Sequence, residues 1–567
     1  MAEPGMNSSG VEAFVRLLAD SGVRYIFGNP GTTELPLNDA LLAEPRIRYI
    51  LGLQEAPVMS MADGYAMASG QVGVVNLHIS CGLGNAMGML YNAFREGTPL
   101  LVTAGQQDRR LSFGEPILWG DMIAVARPWT KWSAEINSVA DLPSAVRRAV
   151  QIALTPPTGP VFLSLPVDLQ MEIAELDTTA PPALDVRVRP PLAALQRAAE
   201  ILLSAKNPCI LAGSRVVEST AVAHLVTLAE QLGAVALSEP GHTHGRQGFP
   251  ADHPLYGQAL SNWAPQIRER LAPFDALIVV GMDLLREYVY HGATPAVPEH
   301  LRIVHIDANP AELGKNYRID VGVWGDVGES LRELTAFLNT RLTAAARQAA
   351  TERTARHAAD QATMRSALIA RCQAEQDRRP MTPLVMMSSL ARTLPANVAV
   401  VEEAVTTTAT TLQRLGALKN TSGYFAHRGW SLGWGIGCAL GVKLAWPERP
   451  VLGIIGEGAA MYGIQALWSA ARYRLPATFV IANNAQYQIL KAGARGFQLP
   501  GALAERFVGM DLDGPAIDMV GLAQSLGVAA RRVTEPEELT ELVAASLAGD
   551  TPQLFDVPIE RSLAGPS

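Results

Sequence analysis

The sequence predicts an α/β protein built as three doubly wound parallel-sheet domains. Short apolar runs such as YIFG, RYILGL, GVVNLHI, PLLVTAG and PVFLSLP alternate with helical patterns along the chain, the signature of strands joined by crossover helices. The proline-rich stretch Leu176–Leu192 lacks a helical period and reads as a linker. The Ala/Arg/Gln-rich stretch Thr343–Arg379 reads as a connecting helix that stops before Pro380. These breaks divide the chain into an N-terminal domain over 1–175, a middle domain over 190–340, a linker helix over 341–380 and a C-terminal domain over 381–567.

Within the middle domain a helix (LQRAAEILLSA) precedes strands at PCILAG, ALIVVG and RIVHID. No GxGxxG follows any of them, so no dinucleotide is expected there. The C-terminal domain shows strands at VAVVEE, VLGIIG, ATFVIANN and LFDVPI.

Composition narrows the function classes. Of 567 residues 48% are apolar and 18% charged, which excludes a disordered chain. The net charge is −8 with no basic block, which argues against nucleic acid as a partner. Cys81, Cys209, Cys372 and Cys438 lie far apart without a CxxC, so neither a disulfide framework nor a thiolate zinc site is expected. The uncharged stretch Gly64–Phe94 is broken by polar residues and glycines, so no membrane span is predicted. The opening MAEPGMNSSGVEAF shows no secretory pattern, and a cytoplasmic protein is expected.

Three constellations carry chemistry. In the first, the apolar strand Val451–Ile455 runs into Gly456-Glu457-Gly458, a helical pattern follows, and a second strand ends at Asn483-Asn484. Two glycines around an acid allow close backbone approach, and the helix start can take phosphate. A carboxylate and an amide at neighbouring strand ends offer hard oxygens for Mg²⁺; an ordinary strand–turn–helix is the plainer alternative. In the second, Glu55 follows a strand and opens a helix with little charge nearby, where a helix-dipole acid is the plainer alternative. The third is GYFAHRGWSLGWGIGCALGV, uncharged from Gly429 to Val442, which also reads as a tightly packed helix. His78 ends the strand Val74–Leu77, where α/β sites gather, although a lone histidine is often a core residue. His242 and His244 have no third ligand close in sequence and read as loop residues.

In register, these pieces resemble the thiamin-diphosphate-dependent 2-oxo acid decarboxylases, in the benzoylformate decarboxylase branch. The resemblance rests on FGNPGTTELP, LQEA, NLHISCGLGNAMG, TAGQQ, TKW, GEGAAMYGIQALWSAA and IANNAQYQIL. It is dense at both ends of the chain and weak between about 190 and 380. It implies a pyrimidine-binding, a middle and a diphosphate-binding domain, with thiamin diphosphate and Mg²⁺ as cofactors. By resemblance Glu55 bonds N1′ of the aminopyrimidine, the Trp430 carbonyl accepts its 4′-amino hydrogen, and Leu432 wedges beneath the cofactor. Gly456, Gly458, Ala459, Ala460, Asn484 and Tyr487 belong to the diphosphate motif. Glu457, Asn484 and the Gln486 carbonyl are the implied metal ligands, with Glu457 standing where the family has Asp.

Thr32 takes the place of a hydroxyl that touches the substrate carboxylate, and His78 that of a proton-handling histidine. For a second such group the register falls on Tyr288, with His291 three residues on and preferred. Leu118, Trp119, Ile489, Leu490 and Gly493 would line the substrate pocket, with Gly493 where the family has an aromatic. The implied reaction is non-oxidative decarboxylation of an apolar or aromatic 2-oxo acid to an aldehyde, through an ylid and an enamine. The same motifs fit a carboligase or 2-hydroxyacyl lyase using the same cofactor; a third reading is a non-catalytic cofactor binder. A homodimer at least, and a homotetramer by family habit, is the expected assembly.

Overall fold

Three six-stranded sheets organise the chain. The computed structural model describes residues 6–182, 184–239, 245–287, 292 and 294–561. In the N-terminal sheet the strands lie in the order Arg48–Leu51, Tyr25–Gly28, Gly73–Leu77, Leu100–Gln106, Val161–Pro166, Ser133–Glu135. The C-terminal sheet runs Tyr424–Phe425, Ala399–Glu403, Val451–Gly456, Thr478–Asn483, Gln553–Pro558, Ala529–Arg532. All strand pairs in both sheets are parallel. Both sheets share one chain order, with the second strand outside the first and the third on the first strand's other side. The order therefore reverses between Tyr25–Gly28 and Gly73–Leu77, and again between Ala399–Glu403 and Val451–Gly456. Such switch points open a crevice at the carboxyl ends of the strands.

The middle sheet is also parallel, in the order Tyr256–Ala259, Val235–Ser238, Pro208–Ala212, Ala276–Val280, Arg302–Asp307, Val321–Trp324. A helix of 32 residues, Ala344–Glu375, follows it. Among the strands of the described residues, one pairing departs from the all-parallel expectation. Met6–Ser9 pairs antiparallel with Ile173–Leu176, tying the start of the N-terminal domain to its end. MNSS carries no strand pattern, so only the partner strand reveals it.

The outer domains share a core through two helices with little amphipathic character, Glu55–Ser69 and Gly435–Ala445. Small residues allow their close crossing. A Cβ at Gly441 would lie 1.9 Å from the Met61 carbonyl oxygen, and one at Gly64 2.3 Å from that of Cys438. The buried Trp434 indole donates to Asp63 Oδ2 at 2.6 Å across this contact, and burial pushes the Asp63 carboxyl up to about 7. The uncharged stretch after Gly429 is thus a buried helix from Gly435 preceded by a non-helical loop. Among the described residues no helix is long and apolar enough to cross a membrane.

Candidate functional site

At the N-terminal switch point the strand Tyr25–Gly28 feeds a one-turn helix, Thr32–Glu34, and Gly73–Leu77 ends at His78, the N-cap of Ile79–Glu96. Gly31 has to be glycine here, because a Cβ would lie 2.0 Å from His78 Nδ1. Ile79 is held at φ 39°, a costly conformation for a β-branched residue. Glu34 is buried and was not singled out by sequence reasoning. Its carboxylate takes hydrogens from Gly31 N (3.0 Å), Thr33 Oγ1 (2.8 Å) and Gly105 N (2.8 Å), and lies 2.8 Å from His78 Nδ1. With its oxygens so occupied Glu34 acts as acceptor, so Nδ1 is the donor and Nε2 is left for the site. Thr32 is exposed beside it.

Glu55 opens its helix at the end of the neighbouring strand and is 6% exposed. Asn29 Nδ2 donates to one oxygen at 3.3 Å and Asn85 Nδ2 to the other at 3.1 Å. The Asn85 amide arrives from one turn and a half into the helix that His78 caps.

At the C-terminal switch point the strand Val451–Gly456 passes into the short helix Glu457–Ala460. Thr478–Asn483 lies beside it in register, Gly456 against Ala482, so Glu457 and Asn484 emerge side by side. A Cβ at Gly458 would meet the Tyr487 ring at 2.7 Å, so the glycine lets that ring close over the turn. Ala485 at φ 52° bends the chain between Asn484 and Gln486. The Gln486 amide N–H donates to Glu457 Oε1 at 3.0 Å and to Asn484 Oδ1 at 3.1 Å.

Glu457 is 3% exposed, and burial holds its carboxyl above the usual range. Gln486 Nε2 is buried with no hydrogen-bond partner among the described residues. A buried carboxylate sharing one N–H donor with the Asn484 side-chain oxygen sets two hard oxygens side by side, which suits a hard cation, and a partnerless buried donor suits an anion beside it. The residues present therefore fit Mg²⁺ and a diphosphate.

The loop bearing Trp430 and Leu432 runs from the edge strand Tyr424–Phe425 to Gly435. Trp430 is left-handed, φ 63°, and its N–H donates to His427 Nδ1 at 2.9 Å. His427 is buried, which pushes its pKa down to about 4 and keeps the ring neutral as an acceptor. Leu432 packs against the shared core.

The candidate residues fall into two groups. Among the described residues no hydrogen bond joins Glu55, His78 or Thr32 to Glu457, Asn484 or Gln486. The pocket residues are likewise split. Leu118, at φ 72°, and Trp119 sit in the loop before the helix Met122–Ala126. Ile489, Leu490 and Gly493 sit on the helix Gln488–Gly496 of the other domain. Leu118, Ile489 and Leu490 are all exposed. Tyr288 and His291, and the loop histidines His242 and His244, lie outside the described residues.

Comparison with known proteins identifies the family. Three family models match in order: the thiamine pyrophosphate enzyme N-terminal TPP-binding domain over 8–116, the central domain over 195–334 and the C-terminal TPP-binding domain over 404–557. Benzoylformate decarboxylase of Pseudomonas aeruginosa is 33% identical across 97% of this chain and 98% of its own. A probable acetolactate synthase large subunit of Methanocaldococcus jannaschii is 28% identical across 98% of this chain and 93% of its own. Among solved structures, a Rhodococcus jostii thiamine diphosphate-dependent 4-hydroxybenzoylformate decarboxylase superposes with a TM-score of 0.85 at 29% identity, covering 98% of this chain and all of the other. A benzoylformate decarboxylase from Polynucleobacter necessarius gives 0.85 at 27%, covering 98% and 99%. The match spans all three domains and both strand-end groups, and the chain belongs to the thiamin-diphosphate-dependent 2-oxo acid decarboxylase family, carboxy-lyases that work with Mg²⁺.

Proposed function

We propose that this enzyme decarboxylates a 2-oxo acid with an apolar or aromatic side chain to an aldehyde and carbon dioxide. The observation that carries the reading is the pair of strand-end groups, Glu55 with the Glu34–His78 pair and Glu457 with Asn484 and Gln486, at the switch points of two sheets of one topology. When bound, thiamin diphosphate supplies a nucleophilic carbon and a sink for the electrons left by departing carbon dioxide. Glu55 would hold N1′ of its pyrimidine, the Trp430 carbonyl its 4′-amino group, and Leu432 its bent shape. Gly456, Gly458, Ala459, Ala460 and Tyr487 would surround the diphosphate, with Glu457, Asn484 and the Gln486 carbonyl on the metal. Thr32 would meet the substrate carboxylate, and His78, through Nε2, would move a proton at the product carbon, with His291 as its counterpart.

The Glu34 contact yields a quantitative expectation. In Glu34→Gln the amide nitrogen faces donors whichever way it turns, so the His78 ring loses its fixed orientation. Turnover should fall about 10- to 100-fold while thiamin diphosphate affinity stays at the wild-type value. Steady-state kinetics beside a cofactor titration checks this, and unaltered turnover would remove Glu34 from the proton-handling unit.

A panel of 2-oxo acids with product analysis tests the reaction itself. Aldehyde with one equivalent of carbon dioxide supports the decarboxylase; an acyloin or 2-hydroxy-2-acyl acid would support the carboligase reading that the acetolactate synthase relatives favour.

The pocket's shape guides the panel. A Cβ at Gly493 meets nothing within 4 Å, so the backbone there leaves room to start a side chain. Discrimination is worth about 1–3 kcal/mol per methylene, so whole rings should move preference by far more than about tenfold. Gly493→Phe and Trp119→Leu should each raise kcat/KM for benzoylformate relative to the best native substrate. Unchanged substrate ranking in both folded variants would show that neither residue lines the pocket.

We further propose that a second copy of the chain completes the site. The supporting observation is that each half presents apolar side chains to solvent, Phe113 at 102% and Val508 at 93% among them. A homodimer is the minimum, and a homotetramer is the expected assembly.

A further inference from the structure

The loop that precedes the helix Gly435–Ala445 is held by one of its own side chains and by three from elsewhere in the chain. Arg428 N donates to Glu96 Oε2 at 3.1 Å, and Trp430 N to His427. Asn92 brackets the next residue: its Oδ1 accepts from Ser431 N at 3.0 Å and its Nδ2 donates to Ser431 O at 2.8 Å. Glu403 then takes three N–H groups in a row, Gly433 (2.9 Å) and Trp434 (3.0 Å) on Oε1 and Gly435 (2.8 Å) on Oε2. Leu432 is the one residue between the Asn92 clamp and the Glu403 clamp, and Trp430 lies directly before the first.

Both clamps start from rigid elements. Glu403 ends the strand Ala399–Glu403 at the switch point and is 3% exposed. Asn92 lies fully buried on the helix that His78 caps. Along this loop the backbone takes two left-handed turns, Trp430 at φ 63°, just before the Asn92 clamp, and Gly433 at φ 98°, the first residue of the Glu403 clamp. A left-handed tryptophan persists only where its surroundings over-determine it, and six donated N–H groups do so here.

We propose that Glu403 and Asn92 are positioning residues that hold Trp430 and Leu432 in their cofactor-shaping course before the cofactor arrives. The proposal rests on the cofactor reading of those two residues. Neither clamp need touch the cofactor; each acts through the loop. Glutamine cannot replace Glu403, because its amide nitrogen would face an N–H of Gly433 and Trp434 or of Gly435. Plain capping of the helix Gly435–Ala445 is the competing account; it would affect stability alone.

The test uses the full-length protein with Glu403→Gln, Asn92→Ala and the benchmark Leu432→Ala. In the cofactor-free state, amide hydrogen exchange at Ser431, Gly433 and Gly435 should be protected in wild type and at least about tenfold faster at the released amides in each clamp variant. With thiamin diphosphate and Mg²⁺ bound, exchange of the cofactor C2 proton should slow by about tenfold or more in each clamp variant, as in Leu432→Ala. The double variant Glu403→Gln/Leu432→Ala should be no slower than the slower single one, because both act on one element. C2 exchange at the wild-type rate in the clamp variants, with only the melting temperature lowered, would reduce both residues to structural caps and overturn the proposal. Unprotected amides in the cofactor-free wild type would also overturn it. Failure of wild type to bind thiamin diphosphate with Mg²⁺ would instead strike at the cofactor reading, and the proposal would fall with it. Should Glu403→Gln not fold, Asn92→Ala decides the matter alone.

Discussion

Glu55→Gln should still bind thiamin diphosphate with Mg²⁺ and should exchange the cofactor C2 proton about 100- to 10,000-fold more slowly than wild type, the range by which a positioned acid–base group contributes. The expectation rests on where the carboxylate stands. It is buried at a strand end, its two oxygens are steadied by the Asn29 and Asn85 amides, and a Cβ at Gly82 would lie 3.4 Å from Oε1. Glutamine keeps the volume and one acceptor, so binding changes less than exchange. Proton exchange followed by magnetic resonance after rapid quenching reads the effect. Exchange as fast in the variant as in wild type would remove Glu55 from the N1′ position.

Glu457→Ala should raise the thiamin diphosphate dissociation constant by about 100-fold or more at fixed Mg²⁺. Losing a partner of a metal ligand already costs about 10- to 100-fold in metal affinity, and in the role proposed for Glu457 a charged ligand itself would be lost. The longer arm of Glu457 reaches the Gln486 N–H at 3.0 Å, so its carboxylate lies toward the Asn484–Gln486 turn. Glu457→Asp restores the acid usual in the family, and because Mg²⁺ demands near-octahedral geometry it should bind metal at least as well as wild type. Calorimetric titration of cofactor at several Mg²⁺ concentrations distinguishes the variants. Unchanged binding in Glu457→Ala would place the metal elsewhere.

The sequence by itself determined the fold class, since alternating strand and helix periods follow from local spacing of apolar residues, and short loops leave parallel crossovers as the workable topology. It also placed the candidate side chains near strand ends: His78 and Glu457 directly follow their strands, and Glu55 follows Arg48–Leu51 after three residues. The antiparallel pairing of Met6–Ser9 was not legible, because its strand character comes from its partner at Ile173–Leu176.

Only the tertiary structure decided what steadies those side chains. Glu34 meets His78 across 44 residues, Glu403 meets Gly433 across 30, and Asn92 meets Ser431 across 339. Periodicity reports a few neighbours along one element and is blind to such distances. A hint for Glu34 existed, an acid in the first turn after a strand end, but such acids also serve helix dipoles. Whether Glu403 faced solvent or three buried N–H groups depended on how the loop before Gly435 folds back onto the strand end. The packing of the outer domains follows from glycines at 64, 437 and 441, whose missing side chains let two buried helices cross at contact distance.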